Sequence, residues 1–422
     1  MKDSEVKWIG EIPEEWELIP AKRIFKIHKD IVGQREIDYL RLSLTMNGVI
    51  VREKTDDSGL QPDNFKTYQI LRPNQIVFKL IDLENLKTSR VGYSNYLGIV
   101  SPAYIVIDSI VQESYNKYYY YWYLSMYYRN IFKALGDSGV RSSLNGNELL
   151  SLPIPLFDLK KQIKITDYLE SSVIKINNLI LNLYSEIDLL SKYKKSIITE
   201  AVTKGLDRDV PMKDSGIEWI GEIPEHWDMK KLKYIANTIS KGISPSYTDK
   251  ELTPVINQVS FSQGFLNKDF KYCTDSPVNI GSLCYGDVLL ATTGGGVLGK
   301  SYYFEEEGDY LASTDVAFIR INNLNLSKFI YYIFSVNYDL FNGEFAKGST
   351  NQTHLQMNLL SNMMLPIPSN SEIIKIVEYL DRLMINIEKI INKKQEQIQN
   401  LEEYKKSLIY EYVTGKKEVA RG

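Results

Sequence analysis

The sequence predicts an α+β protein with an internal pseudo-twofold repeat: two mixed α/β domains separated by two long helices that pair as an antiparallel coiled coil. Three observations predict it. A motif near the N-terminus returns 211 residues later, each half ends in a long heptad-patterned stretch, and the segments between carry strand-and-turn punctuation. The 422 residues are 44% hydrophobic and 24% charged, a globular balance too rich in core formers for a disordered chain.

In chain order, residues 3–16 open each feature of the repeat and are answered by 214–227: Trp8 corresponds to Trp219 and Trp16 to Trp227. The segments 17–155 and 228–368 contain short apolar runs bounded by Gly, Pro, Asn and Asp, such as 75–78, 104–107, 287–290 and 316–319, which read as strands. Each segment then carries an aromatic helix, Tyr118 to Phe132 and Lys328 to Phe341. After Leu152-Pro153-Ile154-Pro155, residues 161–204 hold no Gly or Pro. There Leu169, Ile176, Leu183 and Leu190 recur every seven residues, and Val173, Ile180 and Ile187 form the second row of an a/d seam. The second half repeats the seam through Leu380, Ile387, Leu401 and Leu408, with Lys394 interrupting it. A helix of about 44 residues is about 66 Å long. Gly205 and Gly415 stand where C-terminal caps belong. The expected domains are 1–155 and 209–368, with spacer helices in 156–208 and 369–422.

Composition narrows the chemistry. No apolar run approaches the roughly 18 residues of a membrane span, and the N-terminus lacks a secretory h-region, so a cytoplasmic protein without a membrane association is expected. Cys273 and Cys284 make neither a disulfide framework nor a four-ligand zinc site, and His28, His226 and His354 lack metal-ligand spacing; no metal site is expected. The formal charge is -3, against simple nucleic-acid binding, but its distribution is uneven. Residues 20–155 hold 17 Lys+Arg against 13 Asp+Glu, whereas 230–368 hold 11 against 12. The 30 tyrosines pack domain cores or face a protein partner.

Gly294 to Ser301 fits G-x-x-x-x-G-K-S/T, a phosphate-cradling loop, and follows a strand. That chemistry needs a helix N-terminus next. The chain instead continues Tyr302-Tyr303-Phe304 and then three glutamates, so the segment reads as a Gly-rich loop between strands. No nucleophile elbow, zinc-protease, methyltransferase or dinucleotide signature is present, and no catalytic residue is expected.

Polar side chains suited to reading base edges occur in both halves. In the first half these are Arg41, Ser43, Arg90, Tyr93, Asn95, Arg141 and Ser142. In the second they are Asn257, Gln258, Ser260, Thr292, Thr293, Lys300, Ser349, Thr350, Asn351, Gln352 and His354. The same residues also suit ordinary turns, and the sequence alone leaves both readings open.

Taken together, the repeated Trp-Ile-Gly-Glu-Ile-Pro-x-x-Trp, the Leu-Pro-Ile-Pro before each long helix, the paired Tyr-Lys-Lys-Ser at 193–196 and 404–407, and Gly286-Asp287-Val288-Leu289-Leu290 resemble the specificity subunits of Type I restriction-modification enzymes. The resemblance covers essentially the whole chain. It implies a non-catalytic reader of double-stranded DNA with two target-recognition domains, each taking one half of an interrupted sequence. It also implies helices that dock two methyltransferase (modification) subunits, to which restriction translocase subunits can add. S-adenosylmethionine, ATP and Mg then belong to those partners and no cofactor to this chain. Family members often carry Pro-Pro and then Glu-Gln entering the helix. Here Phe157-Asp158 and Lys161-Gln162 stand there in the first half, and the second keeps only Glu372. The alternatives are a coiled-coil scaffold without DNA specificity and a P-loop nucleotide-binding protein.

Overall fold

The computed structural model describes residues 1–56, 64–84, 89–111, 115–136, 142–276, 281–348 and 353–419. It divides into two compact units, Met1–Tyr184 with Gln395–Gly422, and Ser185–Lys394. Each unit contains one α/β domain and parts of both long helices, Leu159–Lys204 and Asn370–Val413.

In the first unit a short hairpin, Lys2–Asp3 with Glu11–Ile12, leads to the strand Glu17–Pro20. This strand pairs antiparallel with Pro153–Leu156, so the Pro-Ile-Pro segment closes the domain as an edge strand before the helix begins. Between them lie two four-stranded sheets. One runs Gly48–Arg52, Leu40–Thr45, Gly98–Val100, Gln69–Leu71, with a parallel pair at its centre. The other runs Phe25–Ile27, Ile105–Ser109, Ile76–Phe78, Val91–Tyr93 and is antiparallel throughout. Leu42, Leu71 and Val100 of the first meet Val77 and Val106 of the second in a buried core. Each such side chain contributes about 1.5–3 kcal/mol on burial.

The second unit repeats this topology. Hairpin Met212–Asp214 with Glu222–Pro224 precedes Asp228–Lys231, which pairs with Met364–Ile367. The antiparallel sheet runs Thr238–Lys241, Val316–Arg320, Val288–Ala291, Ser301–Tyr303. The mixed sheet keeps its central parallel pair, Thr253–Ile256 beside Tyr310–Ala312, and gains one strand, Tyr247–Thr248, at its edge. Between Ile256 and Lys271 the second half also carries a longer excursion than the two residues joining the corresponding first-half strands. The repeat thus persists in strand order where the two sequences have diverged.

Both aromatic helices are shorter than the sequence predicts. The first spans Asn116–Tyr128 and the second Leu324–Val336; short helices follow at Ile131–Leu135 and Tyr338–Asn342. Asn130 interrupts the first in a left-handed conformation, which Asn tolerates better than most residues, and Asn337 interrupts the second.

The long helices run where the heptads place them, and within each unit they are antiparallel neighbours. In the first unit Tyr168 meets Tyr412, with ring centroids 4.5 Å apart, and Lys405 Nζ donates to Asn177 Oδ1 at 3.0 Å. In the second, Lys194 pairs with Glu388 at 2.9 Å, Lys394 pairs with Glu186, and Leu190, Ile197 and Ile198 pack with Leu380, Met384, Ile387 and Ile391. Of the remaining seam positions, Leu169, Ile176 and Leu408 are buried, and Leu183 and Leu401 half-buried. Lys394, the interruption in the seam, is the residue that reaches Glu186.

The repeated Trp motif seals the helix ends. Gly415, at φ +70°, ends the second helix, and a Cβ there would lie 2.4 Å from Pro13 and 3.1 Å from Trp16. Trp16 also stacks on Phe157 at 3.8 Å, beside the start of the first helix. In the second unit Gly205 ends the first helix under Trp227, whose Nε1 donates to Glu372 at 3.1 Å in the opening turn of the second.

Candidate nucleic-acid interface

The second unit gathers candidate residues from three separated segments onto one surface. Strand Thr253–Ile256 delivers Asn257 and Gln258 at its end, and Val288–Ala291 delivers Thr292 and Thr293. Thr293 forms an antiparallel bridge with His354, and Leu355 N–H donates to the Thr292 carbonyl at 2.9 Å. Gln258 approaches the same place, its Nε2 lying 3.8 Å from where a Cβ on Gly294 would sit.

These residues divide into builders and exposed groups. Asn257 Oδ1 accepts from the Val259 and Ser260 N–H groups at 2.9 and 3.1 Å, so Asn257 and Ser260 form a local turn. Thr292 is fully buried, and Thr293 Oγ1 donates to Asp315 at 2.8 Å. Among the described residues, the amide of half-buried Gln258 and the exposed His354 ring have no side-chain partner and remain open to a ligand. Lys347 sits opposite His354 in the adjoining hairpin and is exposed, bringing positive charge to the surface.

The Gly-rich loop has no free phosphate cradle. Leu298 N–H donates to Gly294, Gly299 N–H to Ala291 and Lys300 N–H to Val297, all within 3.0 Å, while Lys300 Nζ donates to the Ser262 carbonyl. The strand Ser301–Tyr303 follows it, with no helix N-terminus. Gly296, at φ +78°, has nothing within 4 Å of a Cβ position, so the loop presents bare backbone to its surroundings.

The first unit does not assemble its candidates in this way. Arg41 is 5% exposed; its guanidinium donates to the Glu53 and Asp56 carbonyls and lies over Phe65. Arg90 is buried too, donating to the Ile81 and Asp82 carbonyls, and burial lowers its pKa. Both guanidiniums brace loops. Ser43 is half-buried and lines a groove with Thr45, Arg52 and Asp56. Tyr93 donates to Asn74 Oδ1 at 2.6 Å, and burial pushes its hydroxyl up to about 12. Asn95 is exposed, whereas the Ser142 hydroxyl is buried without a partner. Arg141, Ser349, Thr350, Asn351 and Gln352 lie outside the described residues.

Sequence reasoning passed over Lys117 and Lys328, each of which ties an aromatic helix to a long helix. Their signal was available, since they stand 211 residues apart like the tryptophans.

Comparison with known proteins agrees with this architecture. The family model for the Type I restriction modification DNA specificity domain matches residues 224–400. A putative type I restriction enzyme MjaX specificity subunit of Methanocaldococcus jannaschii is 28% identical over 261 residues, 58% of each chain. The MjaVIII specificity subunit of the same organism is 27% identical over 287 residues, 64% of this chain and 62% of that one. The matches thus span 58% and 62% of those two relatives. In fold, the chain matches one from a structural study of complex assembly and conformational transition of the type I R-M system, with a TM-score of 0.72 at 13% identity, covering 96% of this chain and 98% of that chain. It also matches the HsdS subunit from Thermoanaerobacter tengcongensis, with a TM-score of 0.51 at 13% identity, 96% and 98% covered. Residues 224–400 thus match the family model for the Type I restriction modification DNA specificity domain, and the chain is similar in sequence to specificity subunits of those systems.

Proposed function

We propose that this chain is the DNA-specificity subunit of a Type I restriction-modification complex, with each α/β domain reading one half of a bipartite target. The observation that carries this reading is the repeated topology with different contents: the same strand order and central parallel pair recur, Leu40–Thr45 beside Gly98–Val100 in one half and Thr253–Ile256 beside Tyr310–Ala312 in the other, with different residues on them. One architecture used twice with different contents suits two half-sites. The chain contributes recognition, while adenine methylation with S-adenosylmethionine and restriction with ATP and Mg fall to partner subunits. Basic surface on those partners supplies phosphate affinity that a chain of net charge -3 lacks, leaving base contacts here.

The test is modified-base sequencing of DNA from cells expressing the neighbouring methyltransferase with and without this chain. A two-part methylated sequence that appears only with the chain is the expected result. An assembled complex that leaves DNA unmodified would favour the scaffold reading.

A further inference from the structure

Among the described residues of the second unit's candidate surface, elimination leaves one amide able to read a base edge. Asn257 Oδ1 already accepts from the Val259 and Ser260 N–H groups, and Thr293 Oγ1 donates to Asp315. Thr292 is buried, and Lys300 Nζ donates to the Ser262 carbonyl. The Gln258 amide keeps both its donor and its acceptor without a side-chain partner.

The backbone that carries this amide is fixed before any ligand arrives. Gln258 sits inside the Asn257–Ser260 turn, which is closed by the Ser260 N–H donating to the Asn257 carbonyl at 3.0 Å and by the Asn257 N–H donating to Ser260 Oγ at 3.1 Å. Beyond the turn, the bond from Lys300 to Ser262 ties the chain to the Gly-rich loop. That loop presents no side chain across Gly294-Gly295-Gly296. A Cβ on Gly294 would lie 3.8 Å from Gln258 Nε2, and one on Gly296 would meet nothing within 4 Å. A flat partner can therefore come up to the amide without meeting a side chain from that loop, and a backbone already held lowers the ordering cost of the contact.

A primary amide places one acceptor beside one donor. In the major groove adenine presents the complement on a single base, N6 donating and N7 accepting, whereas guanine presents two acceptors and cytosine one donor. Against guanine the amide oxygen would face another acceptor and stay unpaired. A neutral amide also adds little to phosphate affinity, for which the exposed Lys347 is the better group. We propose that Gln258 is a specificity-determining residue that reads an adenine, and so fixes one A·T pair in one half of the target. The inference rests on the specificity-subunit reading and deepens it by naming a base. Because a base undergoing methylation leaves the stack, the adenine that Gln258 reads is not the one that is modified.

The experiment uses the full chain with its methyltransferase and scores the methylated fraction at sites across a genome shortly after expression is induced, while good and poor sites still differ. In Gln258→Ala, one A·T position in one half of the target accepts other bases, the advantage of adenine there falling roughly tenfold to a hundredfold, and the other half is unchanged. In Gln258→Glu, the same position turns toward cytosine, whose N4 amino group donates to a carboxylate. A target unchanged in Gln258→Ala overturns the assignment, as does relaxation at a G·C position or in both halves. So does a fall at all sites alike in both variants with no base newly accepted, because the amide then serves folding or the DNA backbone. Absence of two-part methylation with the unaltered chain defeats the specificity-subunit reading instead, so the two failures are separable.

Discussion

Glu372 shows how one side chain secures a helix start and a domain at once. It forms a capping box with Ser369, accepting from the Ser369 N–H at 3.1 Å, and also accepts from Trp227 Nε1 and His226. Burial alone would raise its pKa, but the bonds from Ser369, His226 and Trp227 outweigh that and hold it at about 2, below the ordinary 4.5. A carboxylate with a depressed folded pKa contributes stability that is full above the ordinary value and is lost as pH falls toward the folded one. Glu372→Gln is expected to cost about 1–3 kcal/mol near pH 7. Denaturant titrations should show that difference shrinking between pH 4.5 and about 2; an equal difference at both ends would exclude the ionised capping role. A second residue-scale comparison isolates the tryptophan seal. Gly216 and Gly415 have φ of +71° and +70°, but only Gly415 has neighbours where a Cβ would go. Gly216→Ala should therefore cost about 1–2 kcal/mol for its left-handed conformation, and Gly415→Ala more, with the excess measuring the clash with Pro13.

At the scale of elements, the long helices follow from sequence because their heptads are a local period that no distant residue needs to complete. Leu380 and Ile387 are buried against the facing helix, whereas Leu183 is half-buried. Leu380→Asp with Ile387→Asp should cost upward of about 3 kcal/mol each and abolish the folded second unit, read as lost protease resistance. Leu183→Asp with Ile187→Asp should do less to folding, and an effect as large would contradict the burial pattern. The candidate interface was less legible. Alternation along Leu40–Thr45 does not reveal that Arg41 turns inward, because Glu53 and Asp56, whose carbonyls receive it, belong to a later turn. The meeting of Thr293 with His354 spans 61 residues of chain and has no sequence period to announce it. The aromatic helices were visible as compositions, but their ends depended on Asn130 and Asn337, which also fit inside a helix.

For the whole molecule, the repeat reaches deeper than identity between the halves. Strand order and the central parallel pair recur even where side chains do not. On the proposed function, exchanging residues 20–150 for those of a similar specificity subunit should change one half of the methylated sequence and leave the other. A change in both halves, read by the same sequencing, would contradict modular recognition. The division into units also has a temporal consequence. The second unit is one uninterrupted stretch, Ser185–Lys394, but the first joins Met1–Tyr184 to Gln395–Gly422. On the ribosome, the contacts between these two stretches must wait for residues 395–422 to emerge. Until then, Tyr168 lacks Tyr412 and the Tyr118 hydroxyl lacks the Val413 carbonyl that it reaches at 2.6 Å. The contacts that complete the first unit therefore form only after the whole stretch of the second has been made.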